Sequence, residues 1–539
     1  MAGNRKAKLL AFAITMFTLV LLYNSIDVTK DFDDLKPVGP LTEIDDSLWE
    51  EFGTKNHRKS ELFFDKSSKV EKTSKSDVVI DKEEEDEVDD DDEDDEEDEN
   101  DYDSEDEDHE DEEEEDYEED SPKNESLSPS TAKNTLPELP NPYLAFDLPP
   151  PTNENPFKKV DPRFREKLNS LCKTTMWQTL KTCVKPDPPG FVITGDIADM
   201  WIRDSAAQVN NYIKLMPTRP DLKDLLVKVV ERQSFFIKFD PYANAYRSTY
   251  NKKPTPWEQS LNRYGYVATG NYELDSGAYF FKLAYKVWKI GGILADVREG
   301  VKAMIDTWII EQNHETKSKY RYSELSRGGK GGLTKYTGMT WTGYRPSDDP
   351  CIYHYLVPAN IFAAVSLGYA KEMLLQWGET EYYKKALKLK ADIEKGISQF
   401  GLTEHNGKTI YCFEVDGLGG CNKMDDANIP SLLSLPYIDP GKTVYDEQIY
   451  QNTKEFILSK ENPYYYSGKY SVGIGSPHTR HGYIWHMSLI MEALLSNDDA
   501  ERQVKLIEEI VETTEKTVRK KVGTGVGHWD YEKLKIIKE

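Results

Sequence analysis

The sequence predicts an all-α body over residues 141–539, built as a closed toroid of helical hairpins and preceded by a membrane anchor and an acidic stalk. Three observations carry this. Apolar residues recur at three-and-four spacing through the body, with no regular strand–helix alternation to suggest a Rossmann or TIM architecture. Residues 81–120 hold 33 Asp and Glu against one Lys. A single uncharged apolar run, LLAFAITMFTLVLLY, occupies residues 9–23.

Residues 1–8 read as a cytosolic tail and 9–26 as a signal anchor. The uncharged stretch from Leu9 to Ile26 would span ~27 Å as a helix, enough for a thin secretory-pathway bilayer. Tyr23, Asn24 and Ser25 make a poor cleavage site for a signal peptide. Arg5, Lys6 and Lys8 precede the run, so the positive-inside rule predicts a type II protein of the endoplasmic reticulum or Golgi with a luminal body. Residues 27–140 form the stalk. Self-repulsion and a shortage of apolar residues keep it from building a core, so it is expected to be disordered and extended. Its acidic run, at -32, exceeds the chain's net charge of -29, so the rest of the chain sums to +3 and the body is close to neutral. The body has no basic stripe with interleaved aromatics, and no nucleic acid partner is expected.

Within the body, PDLKDLLVKVVERQSFFIKF sets Leu222, Leu225, Leu226, Val229 and Val230 on one helical face. Similar stretches lie near 162–183, 277–289, 296–311, 358–376, 381–399, 482–495 and 500–518. The five cysteines show no C-x-x-C spacing and no adjacent histidine, so neither zinc nor another metal or cofactor is expected. Cys172–Cys183 and Cys412–Cys421 are the locally plausible disulfides, with buried thiols an equal alternative.

The chemistry lies in loops at helix borders. TGDIADMWIRDSAAQV (194–209), YELDSGAYF (272–280), TGMTWTGYRPSDDP (337–350), KMDDANIPSLLSLPY (423–437) and GIGSPHTRHGYIW (473–485) each mix carboxylates or histidine with aromatics and small turn residues. Aromatic faces pack on pyranose rings, and acids and arginines bond their hydroxyls. Glycoside hydrolysis also needs two carboxyl groups across the scissile bond. Other chemistries fit worse. GGKGG (328–332) lacks the P-loop spacing, GIGSP is not a nucleophile elbow, and His478, His481 and His486 do not share one helical face. One isolated acid is usually a cap or a surface ion pair. Five such loops in one helical body weaken that explanation.

GDIADMWIRDSAAQV, YELDS, YRPSDD, DDANIPSLLSLPY and GIGSPHT resemble, in order, the signature blocks of glycoside hydrolase family 125. The resemblance implies an (α/α)6 barrel and an inverting exo-α-1,6-mannosidase that needs no metal and acts on a mannose-containing oligosaccharide or glycoprotein glycan. Fungal members of the family often carry an N-terminal anchor. Carried onto this chain, Asp196, Met200, Trp201, Arg203 and Asp204 would line the deepest sugar subsite, continued by Glu273 and Asp275. Trp341, Arg345, Asp425, Asp426 and His478 would complete the substrate contacts. The general acid would be Asp348 or Asp349, with Asp349 preferred. Burial against Trp341 and Tyr344 would keep it protonated, and Arg345 would turn away from it toward the substrate.

The family's general base is a glutamate in a late G-T-G-x-M-H-E-S block. Here Gly523, Thr524, Gly525 and His528 align, and Trp529 takes the glutamate position. The family's aromatic-rich closing helix has no counterpart in KLKIIKE. Three readings follow: a shifted reading frame in front of a normal enzyme; a catalytically silent mannan- or glycan-binding membrane protein; or a substitute base at Asp530 or Glu532. A toroid glycosidase of other linkage preference is a further alternative.

Overall fold

The computed structural model describes residues 161–167, 179–195, 197–291, 294, 297–468, 471–496 and 499–518, all within one compact unit. The anchor, the stalk, Cys172, Asp196, Trp529, Asp530 and Glu532 lie outside the described residues.

Nine helices of eight or more residues are described: α1 (Ile202–Val209), α2 (Pro220–Phe239), α3 (Leu274–Lys289), α4 (Arg298–Glu311), α5 (Val357–Gln376), α6 (Thr380–Phe400), α7 (Glu447–Ile457), α8 (His486–Leu495) and α9 (Ala500–Val518). Their burial alternates. In α1 all eight residues are buried, whereas α2 buries one face through Leu222, Leu226, Val229, Val230, Phe236 and Ile237. The helix α3 is buried over most of its length, while α4 buries only a stripe. The same holds for α5, apolar on every side, and α6, which buries Ala386, Leu389, Ile393, Gly396 and Ile397. A helix apolar all round needs cover all round, and an amphipathic partner supplies it on the solvent side. Accordingly α5 packs on both α6 and α3, α2 on α4, and α8 on α9.

Local chemistry sets the helix ends. Pro220 and Pro358 stand in the first turns of α2 and α5, where a missing N–H costs nothing. The α5–α6 hairpin turns at Gly378, which takes φ +74°. There Glu379 N–H donates to Leu374 C=O and Gly378 N–H to Leu375 C=O, the paired bonds of a Schellman stop. Gly277 brings α3 against α4: a Cβ there would lie 2.7 Å from the Met304 sulfur.

Twelve short strands among the described residues were not foreseen. They are β1 (Val184–Lys185), β2 (Phe191–Val192), β3 (Met200–Trp201), β4 (Ala245–Asn251), β5 (Gly265–Thr269), β6 (Tyr355–Leu356), β7 (Leu402–His405), β8 (Lys408–Tyr411), β9 (Glu414–Val415), β10 (Cys421–Asn422), β11 (Tyr465–Ser467) and β12 (Val472–Ile474). They form five small antiparallel sheets, among them β3–β4–β5 and β10–β9–β6. None extends the architecture. Each pins a loop between two helices.

Of the predicted helix near 162–183, residues 162–167 are helical, 168–178 lie outside the described residues, and Thr179–Cys183 forms a single π turn. Cys412 and Cys421 form a disulfide, whereas Cys183 is a buried free thiol instead of a disulfide partner. Among the described residues no helix is long and apolar enough to cross a membrane.

Candidate active site

The loops that enter the buried helices converge on one cavity of about 350 Å³. Trp201, Arg203 and Asp204 reach it from the start of α1, Ser347–Pro350 from the loop ahead of α5, Asn428 from the 423–437 loop and His478 from the loop ahead of α8. The β4–β5 hairpin contributes Asn244 and Thr269 at its root and Arg263 nearer its tip. The positive end of the α1 dipole thus faces the cavity, which suits Asp204 in its first turn.

Arg203 is the centre of charge. Its guanidinium, 5% exposed, donates to Glu273 Oε2 at 2.6 Å and to Asp275 Oδ2 at 3.0 Å. Asp204 stands 3.7 Å away and Asp348 3.8 Å. One cation cannot neutralise four acids. Burial pushes Glu273 well above the usual carboxylate range; Arg203 opposes this, and Asp275 and Asp348 add to it. Asp275 is raised too, again mainly by burial. This inner pair grips Arg203 from behind, while Asp204 and Asp348 stand on the cavity side.

The RPSDD stretch writes its own turn. Asp348 N–H donates to Arg345 C=O at 3.0 Å, with Pro346 at the position that fixes φ. Asp348 then adopts φ +66°, and Arg345 N–H closes on Asp349 C=O at 2.8 Å. This is a three-residue hairpin loop with a left-handed last residue, a conformation that aspartate tolerates better than most side chains. It leaves two neighbouring carboxylates in different settings. Asp348 has only its distant ion pair with Arg203. Asp349 accepts from Ser347 Oγ at 2.7 Å and meets His478 Nδ1 at 3.1 Å. The bond to Asp349 raises the His478 pKa above its ordinary value against the effect of burial. The pair thus keeps a proton to higher pH than a free imidazole. Behind it, His478 N–H bonds Ser476 Oγ, which donates to Asp426, and Asp426 also holds the Asn428 amide at 2.7 Å.

Several expected contacts fall elsewhere. Met200 is fully buried, its sulfur accepting from Val192 N–H at 3.5 Å, so it is core and not a sugar wall. Trp341 is also fully buried, stacked between His314 and His354 at 3.6 and 4.7 Å between centroids, and does not reach the cavity. Arg345 does not face substrate: it forms a two-pronged pair with Glu414 at 2.6 and 2.9 Å. Glu273 and Asp275 lie behind Arg203. Asp425 accepts the backbone N–H groups of Leu432 and Leu433, and burial lifts its pKa to about 8. Asp426 is one layer back from the surface, raised to about 6 by burial. Trp201, Arg203, Asp204, Asp348, Asp349 and His478 line the cavity as expected.

The sequence reading missed Thr194, Asn244, Arg263, Thr269 and Glu324, which also line it, and Glu414, which supports it. The Asn244 amide nitrogen and the Thr194 hydroxyl are buried with no hydrogen-bond partner in the protein. Alternating ANAYRSTYN could have suggested the hairpin, but nothing local marks Asn244 as a contact. No group of three or more His, Cys, Asp or Glu among the described residues is arranged to hold a metal ion.

A helical scaffold with a small pocket of acids, one buried arginine, one tryptophan and unpaired hydroxyl-bonding groups is the design of a glycosidase that takes a chain end. The sequence pattern of the metal-independent α-mannosidases, glycoside hydrolase family 125, matches residues 165–523, and the chain belongs to that family. It is 35% identical over 383 residues to the meiotically up-regulated gene 157 protein of Schizosaccharomyces pombe, covering 62% of this chain and 73% of that one. Among solved structures it is similar to a Streptococcus pneumoniae metal-independent α-mannosidase, described as a non-productive substrate complex with α-1,6-mannobiose. That match has a TM-score of 0.58 and 34% identity, and covers 66% of this chain and 88% of that one.

Proposed function

We propose that the cavity binds the non-reducing end of an α-1,6-linked mannoside and releases mannose with inversion, Asp349 delivering the proton to the leaving oxygen. The observation that carries this is the Asp349–His478 pair at the cavity wall, a carboxyl joined to an imidazole at 3.1 Å beside Trp201, Arg203 and Asp204. Trp201 offers a face to the ring, while Asp204, Asp348, Asn244 and Thr194 meet its hydroxyls. The α-1,6-mannobiose of the S. pneumoniae complex supports the linkage. The alternation of buried and one-faced helices supports an (α/α)6 toroid. We further propose that residues 9–26 anchor the chain as a type II protein of the endoplasmic reticulum or Golgi, so that the substrate is a glycan of the secretory pathway.

Water activation is the open role. Trp529 stands where the family keeps its glutamate, and Asp530 is the neighbouring carboxylate. That substitution favours a second reading, a glycan-binding protein without turnover. The test is hydrolysis of α-1,2-, α-1,3- and α-1,6-mannobiose by the full chain, with the released anomer followed by NMR. Preferential release of β-mannose from the α-1,6 substrate is expected, and Asp349→Asn should slow it about 10²–10⁴-fold. Binding without release would favour the second reading, and neither binding nor release would sink both.

A further inference from the structure

A cavity of about 350 Å³ is near the lower end of ligand pockets and encloses only the end of an oligosaccharide. The remainder must run across the rim. We infer that the rim at Trp257 is a second sugar platform, which takes a distal mannosyl residue of the same substrate chain. The inference rests on the mannoside reading above and names where the rest of that substrate lies.

Trp257 is 59% exposed, unusual for so large an apolar side chain. It is also held firmly. It lies in the short helix Pro256–Ser260, which starts at Thr255 with a full capping box: Thr255 Oγ1 accepts from Glu258 N–H while Glu258 accepts from Thr255 N–H. Arg247 of β4 adds an ion pair to Glu258 at 3.0 Å. An exposed ring on a fixed backbone loses little freedom when it binds, which is what a stacking surface requires.

The platform is continuous with the cavity. Arg263 lines the cavity, and its guanidinium stands 5.1 Å from the Trp257 ring centroid. Its N–H bonds Glu258 C=O at 2.7 Å, which ties the short helix to the cavity wall. The next residue back, Asn262, donates to Arg321 C=O at 2.8 Å, beside the lining residues Tyr322 and Glu324. One face of the tryptophan is thus set by a cation, and the ring remains largely open to solvent. A pyranose leaving the cavity past Arg263 meets that ring next. Tyr336, Leu333 and Leu418 are also exposed, and none of them lines the cavity.

The test is calorimetric titration of the full chain carrying Asp349→Asn, which slows turnover, with α-1,6-linked mannobiose, mannotriose and mannotetraose. Affinity is expected to rise about tenfold from the disaccharide to the tetrasaccharide, a stacking-sized gain. Adding Trp257→Ala should remove the rise, while Trp257→Tyr should keep most of it and Tyr336→Ala all of it. Disaccharide binding that gains nothing with length, or a gain that survives Trp257→Ala, overturns the platform and leaves the mannoside site standing. Failure to bind any of the three overturns the mannoside reading, and the platform with it.

Discussion

The two aspartates of the RPSDD turn differ in backbone as well as in partners. Asp348 takes the left-handed conformation, so its neighbour Asp349 projects toward Ser347 and His478. The proton held by the Asp349–His478 pair has a consequence for pH dependence. His478 is raised by its bond to Asp349, so the pair stays protonated into a range where a lone imidazole would not. His478→Asn should move the alkaline limb of the kcat/KM profile to lower pH and cut the rate near pH 7 by roughly tenfold or more. An unshifted profile would reduce His478 to a packing role. Most of this site was legible in sequence, because tryptophan, arginine and acids in one short loop have few other uses. The roles of Met200, Trp341 and Arg345 were not, because a loop sequence does not say which of its side chains turn inward.

At the scale of elements, helices and hairpins divide the labour. Most of the long helices were readable within a few residues, since they carry a 3.6-residue period over several turns. The α5 stretch read correctly even though it is apolar on all faces, because Pro358 and Gly378 bracket it. The strands escaped notice because many are only two or three residues long, and pairing is a long-range property that no local pattern encodes. One of them governs the RPSDD turn. Glu414 of β9 holds Arg345 with both oxygens, and the Cys412–Cys421 disulfide brackets it. Glu414→Ala leaves a buried guanidinium without its carboxylate and should cost about 3–5 kcal/mol of stability. Urea midpoints of the two proteins measure this. A loss under 1 kcal/mol would mean that the turn is held by its backbone bonds alone.

For the whole molecule, buried titratable groups set the response to pH. Burial raises Asp425 to about 8 and Asp426 to about 6. In the unfolded chain both lie near about 4. The folded state therefore binds more protons than the unfolded one above about pH 4, and this contribution to stability is lost as pH rises through the folded values. Burial lowers His354 and His486 to about 4, which has the opposite sign: their contribution is complete above about 6.5 and is lost as pH falls. The two effects offset one another between about pH 4 and 6. Above that Asp425 acts in the same direction as the raised Glu273, Asp275 and His478, so the denaturation midpoint should fall from pH 6 to pH 8, and Asp425→Asn should make the fall shallower. The pairs that build the site join distant parts of the chain: Arg203 with Glu273, Arg345 with Glu414, Asp349 with His478. During synthesis the N-terminal half emerges first. Until residue 414 is made, Arg345 has no counter-ion to be buried with, and until residue 478 is made, the acid has no imidazole. The site is therefore a late product of translation, and a chain that stalls before residue 478 lacks the Asp349–His478 pair.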